Sequence, residues 1–220
     1  MFTGIIEALG EIADMQPRGN DQRIKIATGK LDLSDVKIGD SIATNGVCLT
    51  AVEIGDSYFV ADVSIETIKR SGFANYQKGQ PVNLEKAMMA TSRFGGHIVS
   101  GHVDGIGQVT QVQNLGQTWE VWVSAPASLA KYLAEKGSVT VDGVSLTVNA
   151  VDGAAFRLTL VPHTLQETII QHYQSGTQVN LEVDVVARYL ERLILGDKAA
   201  QSNATTDISL ATLAENGYLK

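Results

Sequence analysis

The chain has 220 residues, 44% apolar and 19% charged, which is the make-up of a globular protein rather than a disordered one. Its net charge of −7 argues against a nucleic-acid partner, which needs a basic face. One cysteine, Cys48, allows no internal disulfide and fits a reducing cytoplasm. No apolar run reaches the ~20 residues of a membrane span, and the N-terminus, with Glu7 and Glu11 close behind and no basic region, does not read as a signal peptide.

In chain order, residues 4–14 read as a strand with Gly4 and Gly10 as bends, and 16–20 as a turn. Arg23 to Ala27 alternates with period two, a half-buried strand, and Leu31 to Val36 is short and irregular. Ser41 to Ala43 and Val47 to Ile54 are strands around Asn45-Gly46, a strong hairpin signal. Tyr58 to Ala61 is a strand, Ser64 to Arg70 a helix capped by Ser64, and Val82 to Glu85 a strand opened by Gly79-Gln80-Pro81. The order then returns. Gly101 to Val112 and Thr118 to Ser124 are strands, and Pro126 to Glu135 a short helix. Ser138 to Val141 and Val144 to Val151 flank Asp142-Gly143. Ala155 to Leu160 is a strand, Thr164 to Tyr173 helical, and Gln178 to Val183 the last strand. Val185 to Leu195 carries Val186, Tyr189, Leu190, Leu193 and Ile194 at helical spacing, a stripe that another subunit could cover. Residues 196–205 are polar and expected to be mobile, and Thr206 to Glu215 is a last short helix closed by Asn216-Gly217.

The return is a repeat. Asn45-Gly46-Val47-Cys48-Leu49-Thr50 recurs 97 residues on as Asp142-Gly143-Val144-Ser145-Leu146-Thr147. At the same offset Gly4 maps to Gly101, Phe59 to Phe156, Thr67 to Thr164, and Val82-Asn83-Leu84-Glu85 to Val179-Asn180-Leu181-Glu182. A solenoid repeat would be ~20–50 residues, so this is a small domain duplicated and fused. The organisation expected is 1–97, 98–185, and a C-terminal helix and tail over 186–220. About six short strands per half, with frequent turns, mean a sandwich or a closed barrel in an all-β chain with a C-terminal helix.

No metal spacing appears: neither Cys-x-x-Cys nor His-Glu-x-x-His occurs, and His97 and His102 stand five apart on a strand-like, Gly-rich segment. What remains is a polar set at matching points of the two halves. Each member has a bland reading: Cys48 as a small core hydrophobe, Thr50 and Thr147 as β-branched strand residues, Asp142 as turn chemistry, Lys136 as a solvated charge. Two arguments oppose it. Ser145 and Thr147 share one strand face, with Asp142 and Lys136 nearby in sequence. And divergence is selective: Cys48 to Ser145, Asn45 to Asp142, Ile5 to His102, Glu66 to His163, while the scaffold Gly, Val, Leu and Thr are kept. A shared pocket with one better-equipped copy has this pattern.

Met-Phe-Thr-Gly-Ile-Ile at the start, Asn45 to Thr50, Gly95 to Gly105 and Asp142 to Val148 resemble the alpha-chain riboflavin synthases, from Met1 to about Leu195. The resemblance implies two tandem six-stranded Greek-key antiparallel barrels, with the C-terminal helix joining a homotrimer. It implies that each barrel binds one 6,7-dimethyl-8-ribityllumazine and that two such molecules dismutate, by four-carbon transfer, to riboflavin and 5-amino-6-ribitylaminouracil. No cofactor or metal is implied; lumazine synthase is a candidate second partner. Carried over, Thr3, Gly4, Ile5, Ile6, Cys48, Leu49, Thr50, Asp62, Val63, Ser64, Ile65, Glu66 and Thr67 would line the N-terminal site. Gly101, His102, Val103, Lys136, Ser145, Leu146, Thr147, Thr159, Leu160, Val161, Pro162, His163 and Thr164 would line the C-terminal one. The two would meet across a subunit boundary. His102, Ser145 and Thr147 are candidates for proton handling, Cys48 for nucleophile or hydrogen-bond partner, and Lys136 and Asp142 for positioning. The rival readings are a lumazine-binding antenna protein of the luminous-bacteria type, which binds without turnover, and an unrelated duplicated β-barrel module.

Overall fold

A computed structural model describes residues 1–200; the helix expected over 206–215 lies outside the described residues, as do 201–205 of the polar stretch. The first half contains β1 (Ala8–Arg18), β2 (Asp21–Ala27), β3 (Ser41–Thr44), β4 (Val47–Gly55), β5 (Tyr58–Val63), α1 (Ile65–Arg70) and β6 (Pro81–Lys86). The second contains β7 (Gly105–Asn114), β8 (Trp119–Ser124), β9 (Ser138–Val141), β10 (Val144–Asp152), β11 (Ala155–Leu160), α2 (Pro162–Glu167) and β12 (Gln178–Val183). Each half closes into a six-stranded antiparallel barrel, in the cyclic order β1-β2-β5-β4-β3-β6 and its counterpart β10-β11-β8-β7-β12-β9. The expected all-β, two-barrel architecture is therefore present.

The closure has local causes. Asn45-Gly46 and Asp142-Gly143 have positive φ at both residues (46° and 78°, 45° and 80°), the twist that a two-residue hairpin needs. Register shifts fall between Ile12 and Asp14 on β1 and between Ala51 and Glu53 on β4. They recur between Val109 and Gln111 and between Val148 and Ala150. Such bulges bend a sheet, and here they curl the longest strands around the barrel. Inside, Ile12, Ile24, Ile26, Ile42, Phe59 and Leu84 fill the first barrel; Val109, Val121, Val123, Phe156, Leu158 and Leu181 fill the second. Each such side chain contributes roughly 1.5–3 kcal/mol on burial. Filled interiors leave no room for a ligand, so any site lies on the outer faces.

Several elements differ from their sequence expectation. The first strand begins at Ala8 rather than at residue 4, and the strand expected from Gly101 begins at Gly105. In both places the preceding residues leave the barrel. The turn at 16–20 contracts to Gly19-Asn20, with Pro17 accommodated opposite Gln22 near the hairpin end. The helix expected over 126–135 is a 3-10 segment, Ala127–Tyr132. The one expected over 164–173 splits into α2 and a 3-10 turn at Ile169–His172. The split falls at Thr168, whose backbone is extended and whose side chain accepts from the Ile170 N–H. The C-terminal helix α3 (Val185–Leu195) forms as expected and has no buried residue; Gly196–Ala200 continues as a 3-10 segment. None of the described helices is long and apolar enough to cross a membrane.

Both barrels lie within one compact unit, Met1–Ala187. Their hairpins meet back to back: a Cβ on Gly46 would lie 2.8 Å from the Gly143 nitrogen, and one on Gly143 2.7 Å from the Gly46 nitrogen. Around this contact the two halves exchange hydrogen bonds. Asn83 donates to the Asp142 carbonyl (2.9 Å) and accepts from the Ile169 N–H (2.8 Å). Asn180 donates to the Asn45 carbonyl (2.8 Å) and accepts from the Gly72 N–H (2.7 Å). One position breaks the symmetry. Asn45 accepts from the Asn83 N–H and donates to the Tyr76 hydroxyl. Asp142 accepts from the Asn180 N–H and, at 2.5 Å, from the Tyr173 hydroxyl. Burial pushes the Asp142 carboxyl up to about 7, against the pull of those two donors.

A folded value above that of the unfolded chain (~3.9 for Asp) means that the folded state favours the protonated acid. The associated stability is full below about pH 4 and is lost as pH rises through about 7. Asp142→Asn would reproduce the Asn45–Tyr76 arrangement without a charge. The variant should gain on the order of 1–3 kcal/mol over wild type at pH 8 and almost nothing at pH 4. Denaturant melts at the two pH values check this; a variant no more stable at pH 8 would refute it.

Candidate functional site

β4 and β10 alternate between barrel and surface. Val47, Leu49 and Ala51 are buried, as are Val144 and Val148. That leaves Cys48 with Thr50, and Ser145 with Thr147, on the outer faces. Beside Cys48 lies a cleft of about 200 Å³, where Glu66, Thr67 and Arg70 face Gly101, His102 and Val103. These last three belong to the second half.

The expected grouping is corrected here. Gly101, His102 and Val103 lie with Cys48 and Thr67, not with Ser145, and Thr3 and Gly4 lie with Ser145, not with Cys48. The reason is that each half begins with an arm that crosses to the other barrel. The Ser145 N–H donates to the Gly4 carbonyl (2.8 Å), and the Cys48 N–H to the Gly101 carbonyl (2.9 Å). Gly4 and Gly101 have φ of +76° and +78°, and a Cβ on either would lie 2.6 Å from the Cβ of Ser145 or Cys48 respectively, so only glycine fits. Ile6 follows the first arm and packs against the second barrel's core; Val103 packs against the first. Ile5 is about half exposed beside Gly95.

Each arm is held at its base by a carboxylate of its own half. Glu85 accepts from the Thr3 N–H (2.7 Å), the Thr3 hydroxyl (2.8 Å) and the Gly4 N–H (2.9 Å). Glu182 accepts from the Ser100 N–H (2.6 Å) and from the Gly101 and His102 N–H groups (both 3.0 Å). Burial raises both carboxyls, that of Glu182 to about 7, and the donated N–H groups pull them down. Sequence reasoning used these residues only as markers of the repeat. A glutamate kept in both copies at a buried strand position was the available signal.

The connection from strand to helix supplies the rest. Asp62 is fixed by Arg23 through two hydrogen bonds (2.8 and 2.9 Å) and by Arg18, and the Arg23 bond holds its carboxyl below the usual range. Val63 is buried, Ser64 caps α1 by accepting from the Thr67 N–H, Ile65 is exposed, and Glu66 pairs with Arg70. In the second half the Thr159 N–H donates to Asn149 (2.7 Å), Leu160 is buried, and Val161 precedes Pro162, which opens α2 with His163 and Thr164. Leu49 is buried in the first core, and Leu146 packs partly against the second. Lys136 is exposed with φ +67°, its N–H donating to the Val148 carbonyl (2.8 Å). The matching residue of the first half is Gly39, whose N–H donates to Ala51 (2.9 Å) with φ +98°. A lysine therefore occupies a conformation that the other copy gives to glycine.

Two placements were not foreseen. Asp142 is turned into the seam between the barrels and does not line the Cys48 cleft. And His97, weighed in sequence only as a metal ligand, lies with Nδ1 2.7 Å from the Ser145 hydroxyl. Burial lowers the His97 pKa, so the ring is neutral near pH 7. A neutral imidazole there can accept the hydroxyl proton or donate to its oxygen. Ser145 thus has a proton partner from the inter-barrel connection, and Cys48 has His102 as a cleft neighbour.

A family profile described as "Lumazine binding domain" matches the chain twice, over residues 3–87 and 100–184. The chain is 55% identical over 219 residues to a riboflavin synthase of Photobacterium phosphoreum, with 100% of both chains covered. It is 42% identical over 218 residues to a riboflavin synthase of Bacillus subtilis, covering 99% of this chain and 100% of that one. Among solved structures, LumP complexed with 6,7-dimethyl-8-(1'-D-ribityl) lumazine superposes with a TM-score of 0.75 at 23% identity. That match covers 83% of this chain and 99% of LumP, a likeness of fold.

Left-handed backbone costs a non-glycine residue roughly 1–2 kcal/mol, part of which glycine returns through the entropy of its unfolded state. Lys136→Gly should therefore stabilise the chain by about 0.5–1 kcal/mol. A thermal melt reads this directly, and a destabilised variant would show that Lys136 is held by favourable contacts rather than against strain.

Proposed function

The chain belongs to the lumazine-binding domain family, and we propose that its two outer polar faces work together as the sites of a riboflavin synthase. The reaction is the dismutation of two molecules of 6,7-dimethyl-8-ribityllumazine to riboflavin and 5-amino-6-ribitylaminouracil. The observation that carries this reading is the matched pair of outward polar strands, Cys48 with Thr50 and Ser145 with Thr147, each overlaid by the other half's arm. Two related faces suit two identical ligands.

Most of the work is positioning. The methyl group at lumazine C7 is already acidic because its carbanion delocalises into the ring, so holding two molecules face to face can supply ~7–11 kcal/mol of the barrier. General acid–base help adds ~10²–10⁴-fold. In this reading Ser145, with His97 on its hydroxyl, and His102, beside Cys48, handle protons. Thr50 and Thr147 bind substrate from the same faces, and Cys48 adds to the activated ring or hydrogen-bonds to it. Lys136 reaches toward substrate from its strained turn.

The two faces that react together belong to different subunits of a homotrimer. The support is α3, whose Val186, Tyr189, Leu190, Leu193 and Ile194 are all exposed in the single chain. Cytoplasmic location and association with lumazine synthase belong to the same proposal and rest on the family resemblance.

Purified protein incubated with the lumazine should form riboflavin, one molecule for every two consumed, followed by absorbance; binding without turnover would refute the enzyme reading. Ser145→Ala and His102→Gln should each lower kcat by ~10²-fold or more while leaving lumazine affinity largely intact. If neither slows turnover, proton handling lies elsewhere. Truncation before Ala187 should weaken trimer assembly, read by sedimentation, and lower activity with it. A fully active truncated monomer would refute the inter-subunit site.

A further inference from the structure

We propose that Glu85 and Glu182 are crossed positioning residues: each belongs to one barrel and sets the arm that overlies the outer polar strand of the other. The proposal rests on reading the two outer polar faces as the paired lumazine sites, but its test requires no turnover.

Glu85 lies on β6 of the first barrel, yet the backbone it fixes, Thr3 and Gly4, is hydrogen-bonded to Ser145 of the second. Glu182 lies on β12 of the second barrel, and its arm, Ser100 to His102, is hydrogen-bonded to Cys48 of the first and faces it across the cleft. Each buried carboxylate takes three donors on two oxygens. That demands an acceptor-only group: a glutamine would turn an N–H toward an N–H. The geometry past the glutamate is then rigid. The glycine turns at positive φ, and its carbonyl docks on the strand nitrogen beside the reactive side chain. A carboxylate serving only its own barrel would bond within it. These two bond to the arms leaving it, so disturbing one should uncover the opposite barrel's polar strand and spare the near one.

The chain's single cysteine provides the reporter. Labelling of Cys48 by a small neutral maleimide reads the first barrel's cleft. The double variant Cys48→Ser, Ser145→Cys moves the thiol to the second. Glu182→Gln should speed labelling at position 48 at least about tenfold and change that at position 145 less than about twofold. Glu85→Gln should do the reverse. The proposal is overturned if each variant acts on its own barrel's reporter, on both equally, or on neither. Should a glutamine variant unfold, which a thermal melt reveals, Glu85→Asp and Glu182→Asp replace the pair under the same criterion, since they keep the charge and shorten its reach. If the crossed pattern appears and no riboflavin forms, the positioning holds and the catalytic reading fails; riboflavin formation without crossing gives the converse.

Discussion

The constraint on which the rest of the structure depends is the contact between Gly46 and Gly143. Each approaches the other's backbone more closely than a side chain allows. The two-residue hairpins therefore do two jobs. Their positive φ values turn β3 into β4 and β9 into β10, and their bare backbone lets the barrels meet turn to turn. Once the turns touch, Asn83 and Asn180 can span the seam, each satisfying a carbonyl of one hairpin and an N–H of the opposite half. Four bonds, three of them buried, fix the relative rotation of the two barrels more firmly than apolar contact alone, because each buried one would cost on the order of 1–3 kcal/mol if left unmade.

That fixed rotation makes the arm exchange possible. The two arms are themselves paired: Phe2 and Val99 exchange backbone hydrogen bonds (2.8 and 3.1 Å), and both side chains are buried with Ala43 in a small core of their own. Cys48 packs against this third cluster. The cluster thus sits between the arms and a strand that carries a candidate reactive group.

Much of this was legible in the sequence. The repeat followed from comparing the chain with itself, and the hairpins and the succession of strands from local chemistry, since Asn-Gly and Asp-Gly turns and period-two alternation act over a few residues. Barrel closure did not follow, because the bulges at Ile12 and Ala51 and their copies leave no compositional trace. Nor did the crossing: Gly4 and Ser145 touch across 141 positions of chain, and nothing in the repeat says whether an arm serves its own half or the other. His97 escaped for a related reason. It lies in the connection between the copies, so comparing one half with the other could not expose it.

The differences between the halves then need separate explanations. Cys48 against Ser145 is a difference on an outer face, beside an arm and within reach of a ligand. Asn45 against Asp142 is a difference in the seam: both side chains accept a strand N–H, but Asn45 donates to the Tyr76 hydroxyl whereas Asp142 accepts from that of Tyr173. The acid there is held inside the protein by the Tyr173 hydroxyl and the Asn180 N–H, and burial opposes its charge. Selective divergence in a duplicated chain therefore marks where the copies stopped being interchangeable, not where the chemistry is. Position decides that: of the two substitutions in the hairpin repeat, Asn45 to Asp142 is buried in the seam and Cys48 to Ser145 lies on an outer face beside an arm.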